Sequence, residues 1–300
     1  MQSALSLILA FIGYSVHSIG QAGQKIGLAY ARRSWVVGAV IWILASTGTT
    51  VAAFLLLYAV SLGSVALVGA MGGSGLASLA LFSHWVMKEP IGRRELAGVG
   101  VIFGAAAMIG AFHHAIKQVS FRPLVLFLFL AAVCALYILA WVVLTRRHGS
   151  VGIVIAGFAG ALGGVVPLFQ KVSTSEYGRS HSLLELEFQS TGRFVVLIQR
   201  GAEILSNPYG LLWMGISIIS MLIMQFSYRR DTAIRLMPAF AANYIAVPVI
   251  GALICFGERL HPVQWAGIAL IVAGVFLLTL KKQGRQAGER TDRVSSHAGD

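Results

Sequence analysis

Lys88–Gly98 reads KEPIGRRELAG and Phe256–Gly267 reads FGERLHPVQWAG, and the register between these two turns decides the fold. The first packs five charges into a chain that is otherwise nearly free of them over long runs. Laid together without a gap, Glu89 falls on Glu258, Ile91 on Leu260, Glu95 on Gln264, Ala97 on Ala266 and Gly98 on Gly267. Each turn joins two apolar runs, so what repeats is a helix–turn–helix unit.

Composition fixes the solvent around those runs. Apolar residues make up 57% of the 300 and charged residues 11%, with a mean hydropathy of +0.79, whereas soluble domains carry about 25% charged residues. A net charge of +12 would suggest nucleic acid in a soluble protein. Here the basic residues gather between apolar runs and in the tail, which reports membrane orientation and excludes a nucleic-acid partner. A helix needs about 20 apolar residues to cross about 30 Å of hydrocarbon. Nine runs meet that measure approximately: 4–29, 35–60, 63–87, 95–113, 122–145, 151–170, 209–228, 236–256 and 263–280. The first has no positively charged segment ahead of it and is too long for a cleavable signal, so it is expected to remain in the protein. Cys134 and Cys255 provide no disulfide or metal framework.

Alternating the nine runs across the bilayer puts fifteen Lys and Arg on the side of the C-terminus and seven on the other. The C-terminus is therefore expected in the cytoplasm and the N-terminus outside. Working backwards from the charged turns, WVVGAVIW from Trp35 resembles LLWMGISI around Trp213, and GQKIG with Lys25 resembles FQKVS with Lys171. Runs one to four match runs six to nine, each displaced by five crossings. Because five is odd, the halves should point in opposite directions through the membrane, as in many secondary transporters. The expected fold is an all-α polytopic membrane protein of two inverted four-helix repeats, 1–120 and 151–282. A connector helix in 121–150 joins them, and an extracytoplasmic insertion occupies 172–208. Its apolar residues, Leu183, Leu184, Phe188, Phe194 and Val195 among them, intersperse with charges and suit an amphipathic interfacial helix. The tail, 283–300, has the composition of a disordered segment.

At this level the sequence resembles the EamA-like branch of the drug/metabolite transporter superfamily. The resemblance lies in YAVSLGSVALVGAMGG (58–73) with HWVMKEPIGRRELAGVGVIFGAAAMIG (84–110), and again in MPAFAANYIAVPVIGALICFGERLHPVQWAGIALIVAGVFLL (237–278). It implies a transporter of the bacterial cytoplasmic membrane, with no enzymatic activity and no cofactor. The superfamily carries amino acids, nucleotide sugars, cations, drugs and lipid-linked sugars, so the resemblance does not choose the substrate. The QKIGLA run also resembles the magnesium-transporter-like branch. The second run, ILASTGTTVAAF (43–54), lacks the acidic residue that likeness calls for, which disfavours a divalent-cation carrier. A lipid-linked sugar flippase stays open, and so does a second copy of the chain as a partner beside membrane lipids and a small polar solute. A membrane enzyme or scaffold would need clustered catalytic groups or a soluble domain.

Polar residues within the runs mark the expected pathway, because placing them against lipid is unfavourable. Tyr14, His17, Ser18, Gln21, Gln24 and Lys25 recur at helical spacing on one face of the first helix. That stripe reads as a cavity lining or, more blandly, as a helix–helix seam. Lys25 and its partner Lys171 read as snorkelling lysines or as substrate contacts. In the second run Thr47 is one of several hydroxyls that would otherwise bond to their own helix. GAMGGSG (69–75), with Ser74, mirrors a segment carrying Asn243 and Tyr244; its glycines are expected to let helices pack closely, and the stretch to leave room for a solute opposite Asn243. Glu89 and Glu258 are expected in solvent-screened interfacial turns. No acidic residue falls near the middle of a run, and no metal-ligand spacing is present.

Overall fold

The computed structural model describes residues 2–31, 33–86, 88, 91–111, 122–146, 151–180, 207–227 and 233–279. They form helices α1 (Gln2–Ala31), α2 (Trp35–Leu62), α3 (Val65–Ala70), α4 (Gly72–Trp85), α5 (Arg93–Ala111), α6 (Pro123–Arg146), α7 (Val151–Ser180), α8 (Pro208–Ser227), α9 (Ala233–Phe256) and α10 (Pro262–Thr279). Among the described residues, six stretches are long and apolar enough to cross a membrane, as expected of a helical membrane protein: Ala4–Gln24, Trp35–Leu62, Val65–Trp85, Pro123–Val143, Val151–Ser175 and Ala239–Phe256. The apolar parts of α8 and α10, Pro208–Met224 and Pro262–Leu278, are shorter.

Local chemistry sets the helix ends. Helices α6, α8 and α10 each open on a proline, whose missing N–H falls where no intrahelical partner exists. Ahead of α8, Asn207 accepts from Tyr209 N at 2.9 Å as an N-cap. Before α10 the His261 N–H donates to Gln264 Oε1 at 2.8 Å, and before α5 the Gly92 N–H donates to Glu95 Oε2. Both are the back-reaching half of a capping box.

Two expected boundaries change. The run 63–87 is split at Met71, whose carbonyl accepts both the Ser74 N–H at 2.9 Å and the Ser74 hydroxyl at 2.7 Å. The hydroxyl competes with the helical ladder and divides α3 from α4. The sixth run does not end at 170: α7 continues to Ser180, so residues 172–180 of the expected insertion are helix. Pro167 lies inside α7. Its missing donor is tolerated in a membrane helix whose neighbours satisfy the freed groups. The expected amphipathic helix and the tail lie outside the described residues.

Glycines bring the helices together. Antiparallel α1 and α2 meet through Gly13, Gly20 and Gly27, seven residues apart. A methyl group on Gly27 would stand 2.8 Å from Trp42 N and 2.9 Å from Gly38 O. Helix α7 packs on α8 and α9, with the Ser220 hydroxyl donating to Ala159 O at 2.8 Å and Gly160 against the Phe240 backbone. Helices α5 and α10 pair through Gly98 and Gly274, each backbone limiting the other. Buried α3 and the start of α4 fill the centre against α9, where Gly69 meets Pro248 and Gly72 meets Tyr244. Helix α6 lies at the margin, with Leu124, Leu128, Leu136 and Leu139 exposed as lipid-facing side chains would be.

Candidate functional site

Two polar regions occupy the bundle, one at its middle and one at an end. The middle is built where α1 crosses α4 and α9. Tyr14 is buried and meets Tyr244 edge-on, ring centroids 5.9 Å apart, while Phe240 stacks on Tyr244 at 5.4 Å. Gly72 and Gly163 make room for the Tyr244 ring, so the sequence places small residues where the aromatic must turn inward. Tyr137 stacks on Phe158 at 5.5 Å, and Gly157 faces both the Tyr137 hydroxyl and the Asn243 amide.

From this centre the α1 stripe runs towards the end of the bundle where α1 finishes. His17 and Gln21 lie within hydrogen-bond distance, Nε2 to Nε2 at 3.0 Å. Whichever partner donates, and whichever way the amide is turned, His17 Nδ1 stays buried without a partner. Gln21 itself is exposed. Gln24 turns into the α1–α2 seam, donating to Ser46 Oγ at 3.2 Å and Thr49 Oγ1 at 3.3 Å. The bland seam reading therefore holds for Gln24, and the stripe divides into a seam part and a part that faces open space.

The other residues expected to line a pathway separate. Asn243 donates to Ala239 O of its own helix at 2.8 Å. Among the described residues, Pro248, Tyr244, Ile271 and Ser18 pack against Gly69, Gly72, Gly73 and Gly75, where a solute space was expected. Ser74 is fully buried and bonded within its own chain turn. Thr47 bonds to Ile43 O at 3.0 Å on the exposed surface of α2. The Lys25 side chain and Glu89 lie outside the described residues.

At the opposite end Glu258 departs from its expected exposure. Glu258 is not screened by solvent but 6% exposed. Its Oε2 accepts from the Ser64 hydroxyl at 2.5 Å and Ala66 N at 3.2 Å, and its Oε1 from Val65 N at 3.0 Å. Ser64 in turn caps α3 by accepting from Leu67 N at 3.1 Å. A carboxylate at the first turn satisfies orphan donors and meets the positive end of the helix dipole. Gly257, at φ +62, supplies the left-handed residue that turns Glu258 back towards α3. Lys171, partly exposed, turns to a neighbouring helix end. Its Nζ donates to the carbonyls of Val60 at 2.9 Å, Gly63 at 3.0 Å and Ser61 at 3.4 Å, closing the C-terminal end of α2. One cation and one anion thus hold the two sides of a single helix break.

Sequence reasoning missed this cluster, although Gly63-Ser64 ahead of an apolar run is a helix stop followed by an N-cap signal. It also missed Tyr137 and Phe240, whose place beside Asn243 and Tyr244 follows only from tertiary packing. Among the described residues, no three His, Cys, Asp or Glu side chains converge to hold a metal ion. No family model, no curated protein and no solved structure matches the chain.

Proposed function

We propose that the chain is a secondary transporter of a small polar solute, built of nine crossings in two inverted halves and akin to the EamA-like drug/metabolite transporters it resembles in sequence. The observation that carries this reading is the difference between the two ends of the bundle. Around Glu258 the polar side chains of Ser6, Ser64, Gln170, Ser173 and Thr174 are buried. Beyond Tyr14 towards the other end, His17 and Gln24 are partly exposed and Gln21 is exposed. A polar stripe that leads from an unpaired imidazole nitrogen to open space, and is sealed on its far side, is what a carrier presents when one gate is shut.

Several features support inverted halves. Lys88 and Gly257, equivalent in the repeat, both adopt left-handed φ, 58° and 62°. The capping contacts Gly92 to Glu95 and His261 to Gln264 also occupy equivalent positions. Gly98 packs against Leu278 while its counterpart Gly267 packs against Ile109, the counterpart of Leu278. With the C-terminus in the cytoplasm, the sealed end is extracytoplasmic and the open end cytoplasmic. The solute would meet His17, Gln21 and the Tyr14–Tyr244 pair, and rocking of the halves would expose it alternately.

Reconstitution in liposomes tests the reading. Amino acids, nucleotide sugars and magnesium are offered in turn, and at least one organic solute should cross faster than through protein-free liposomes and be slowed by His17→Ala. No solute-dependent flux from folded, inserted protein would contradict it.

A further inference from the structure

We propose that Lys171 and Glu258 form a breakable latch that holds the Glu258 end of the pathway shut. The proposal rests on the transporter reading above and assigns its closed gate. Both residues belong to the second half of the chain, on α7 and directly after α9, while the groups their side chains bind belong to the end of α2, the connection after it and the start of α3, all in the first half. The contacts therefore span the surface along which two halves would part.

Their chemistry suits a latch better than a fixed fold element. The α2 carbonyls and the α3 N–H groups are at helix ends whose needs water can meet once it reaches them. A closed, dry gate requires protein partners for them, and an open, wet one does not. Lys171 brings donors to the negative end of one helix and Glu258 brings acceptors to the positive end of the next, so neither could exchange places. Packing beside the latch is close: Ser6 donates to Ala59 O at 2.6 Å, and Gly63 leaves no room for a side chain beside the Ser6 hydroxyl. Ala10 on α1 is fully buried one turn beyond Leu7, between the latch and Tyr14. When the latch opens, water should reach Ala10.

Thiol labelling from each membrane face reads this directly, in a background carrying Cys134→Ser and Cys255→Ser. A cysteine at position 10 (Ala10→Cys) should resist a membrane-impermeant maleimide from the Glu258 face, whereas one at position 21 (Gln21→Cys) should react from the opposite face. Adding Lys171→Met, or the milder Ser64→Ala, should raise the rate at position 10 from the Glu258 face by roughly tenfold, as when a two-state equilibrium loses part of its bias. Lys171→Arg, which retains donors for the carbonyls, should restore protection. An unchanged rate at position 10 in inserted, monodisperse Lys171→Met and Ser64→Ala proteins, with position 21 still reactive, overturns the latch and leaves the transporter reading standing. Protection of position 21 from both faces overturns both.

Discussion

Glu258 shows how a single residue changes meaning between sequence and structure. As a letter beside Arg259 in a polar turn it looks like a surface acid, worth about 0–1 kcal/mol in an exposed pair. In the fold Gly257 reverses the chain and carries the carboxylate into three donors, two of them main-chain. Replacing Glu258 with Ala should cost about 2–4 kcal/mol, given about 1–3 kcal/mol for each buried polar group left unpaired. Glu258→Gln should lose less, since its amide oxygen can still accept. Thermal unfolding in detergent should rank the proteins native, then Gln, then Ala. Equal melting of all three would return Glu258 to the solvent-screened role that its sequence context suggests. His17 is the converse case: its central position was legible, and its unpaired Nδ1 was not, because only the packed structure shows which atoms lack partners.

Among the helices, glycine spacing was legible as close packing, but its partners were not. GAMGGSG announces a helix that something approaches closely, yet only the fold shows that Pro248, Tyr244 and Ile271 occupy the space rather than a solute. The same holds for Gly160, where an added Cβ would overlap the Phe240 carbonyl. Gly160→Leu should force α7 from α9 and destabilise by about 2–3 kcal/mol or more, as overpacking does. Gly48 in α2 has nothing within 4 Å of an added Cβ, and Gly48→Ala should be neutral or stabilising by about 0.5–1 kcal/mol. Detergent melting curves should separate the two variants clearly. If both melt alike, the glycine-mediated α7–α9 contact is not a close one. Helix boundaries were read less well for a reason visible at Lys171: the apolar count ends there, but the helix continues through Ser173 and Thr174 because a neighbouring helix end and the turn's own carbonyls satisfy its polar groups.

For the whole molecule, apolar run length made the helices legible, since bilayer thickness sets both. The proposed repeat rests on two turns of like chemistry: a left-handed residue at Lys88 and at Gly257, and a capping side chain three residues into the next helix, Glu95 and Gln264. A substrate for the proposed transport was not legible, because a stripe of one tyrosine, one histidine, one hydroxyl, two amides and a single lysine carries no charge pattern that selects one solute. The central claim is that the two halves are inverted, and the turns Lys88–Gly98 and Phe256–Gly267 test it most directly. Lys88 and Arg259 are both exposed, at turns that follow equivalent helices. In the cysteine-free background, Lys88→Cys and Arg259→Cys should each react with an impermeant maleimide from one face of sealed vesicles only, and from opposite faces, with Lys88→Cys labelled from the cytoplasmic side. Labelling of both from the same face would contradict the inverted repeat.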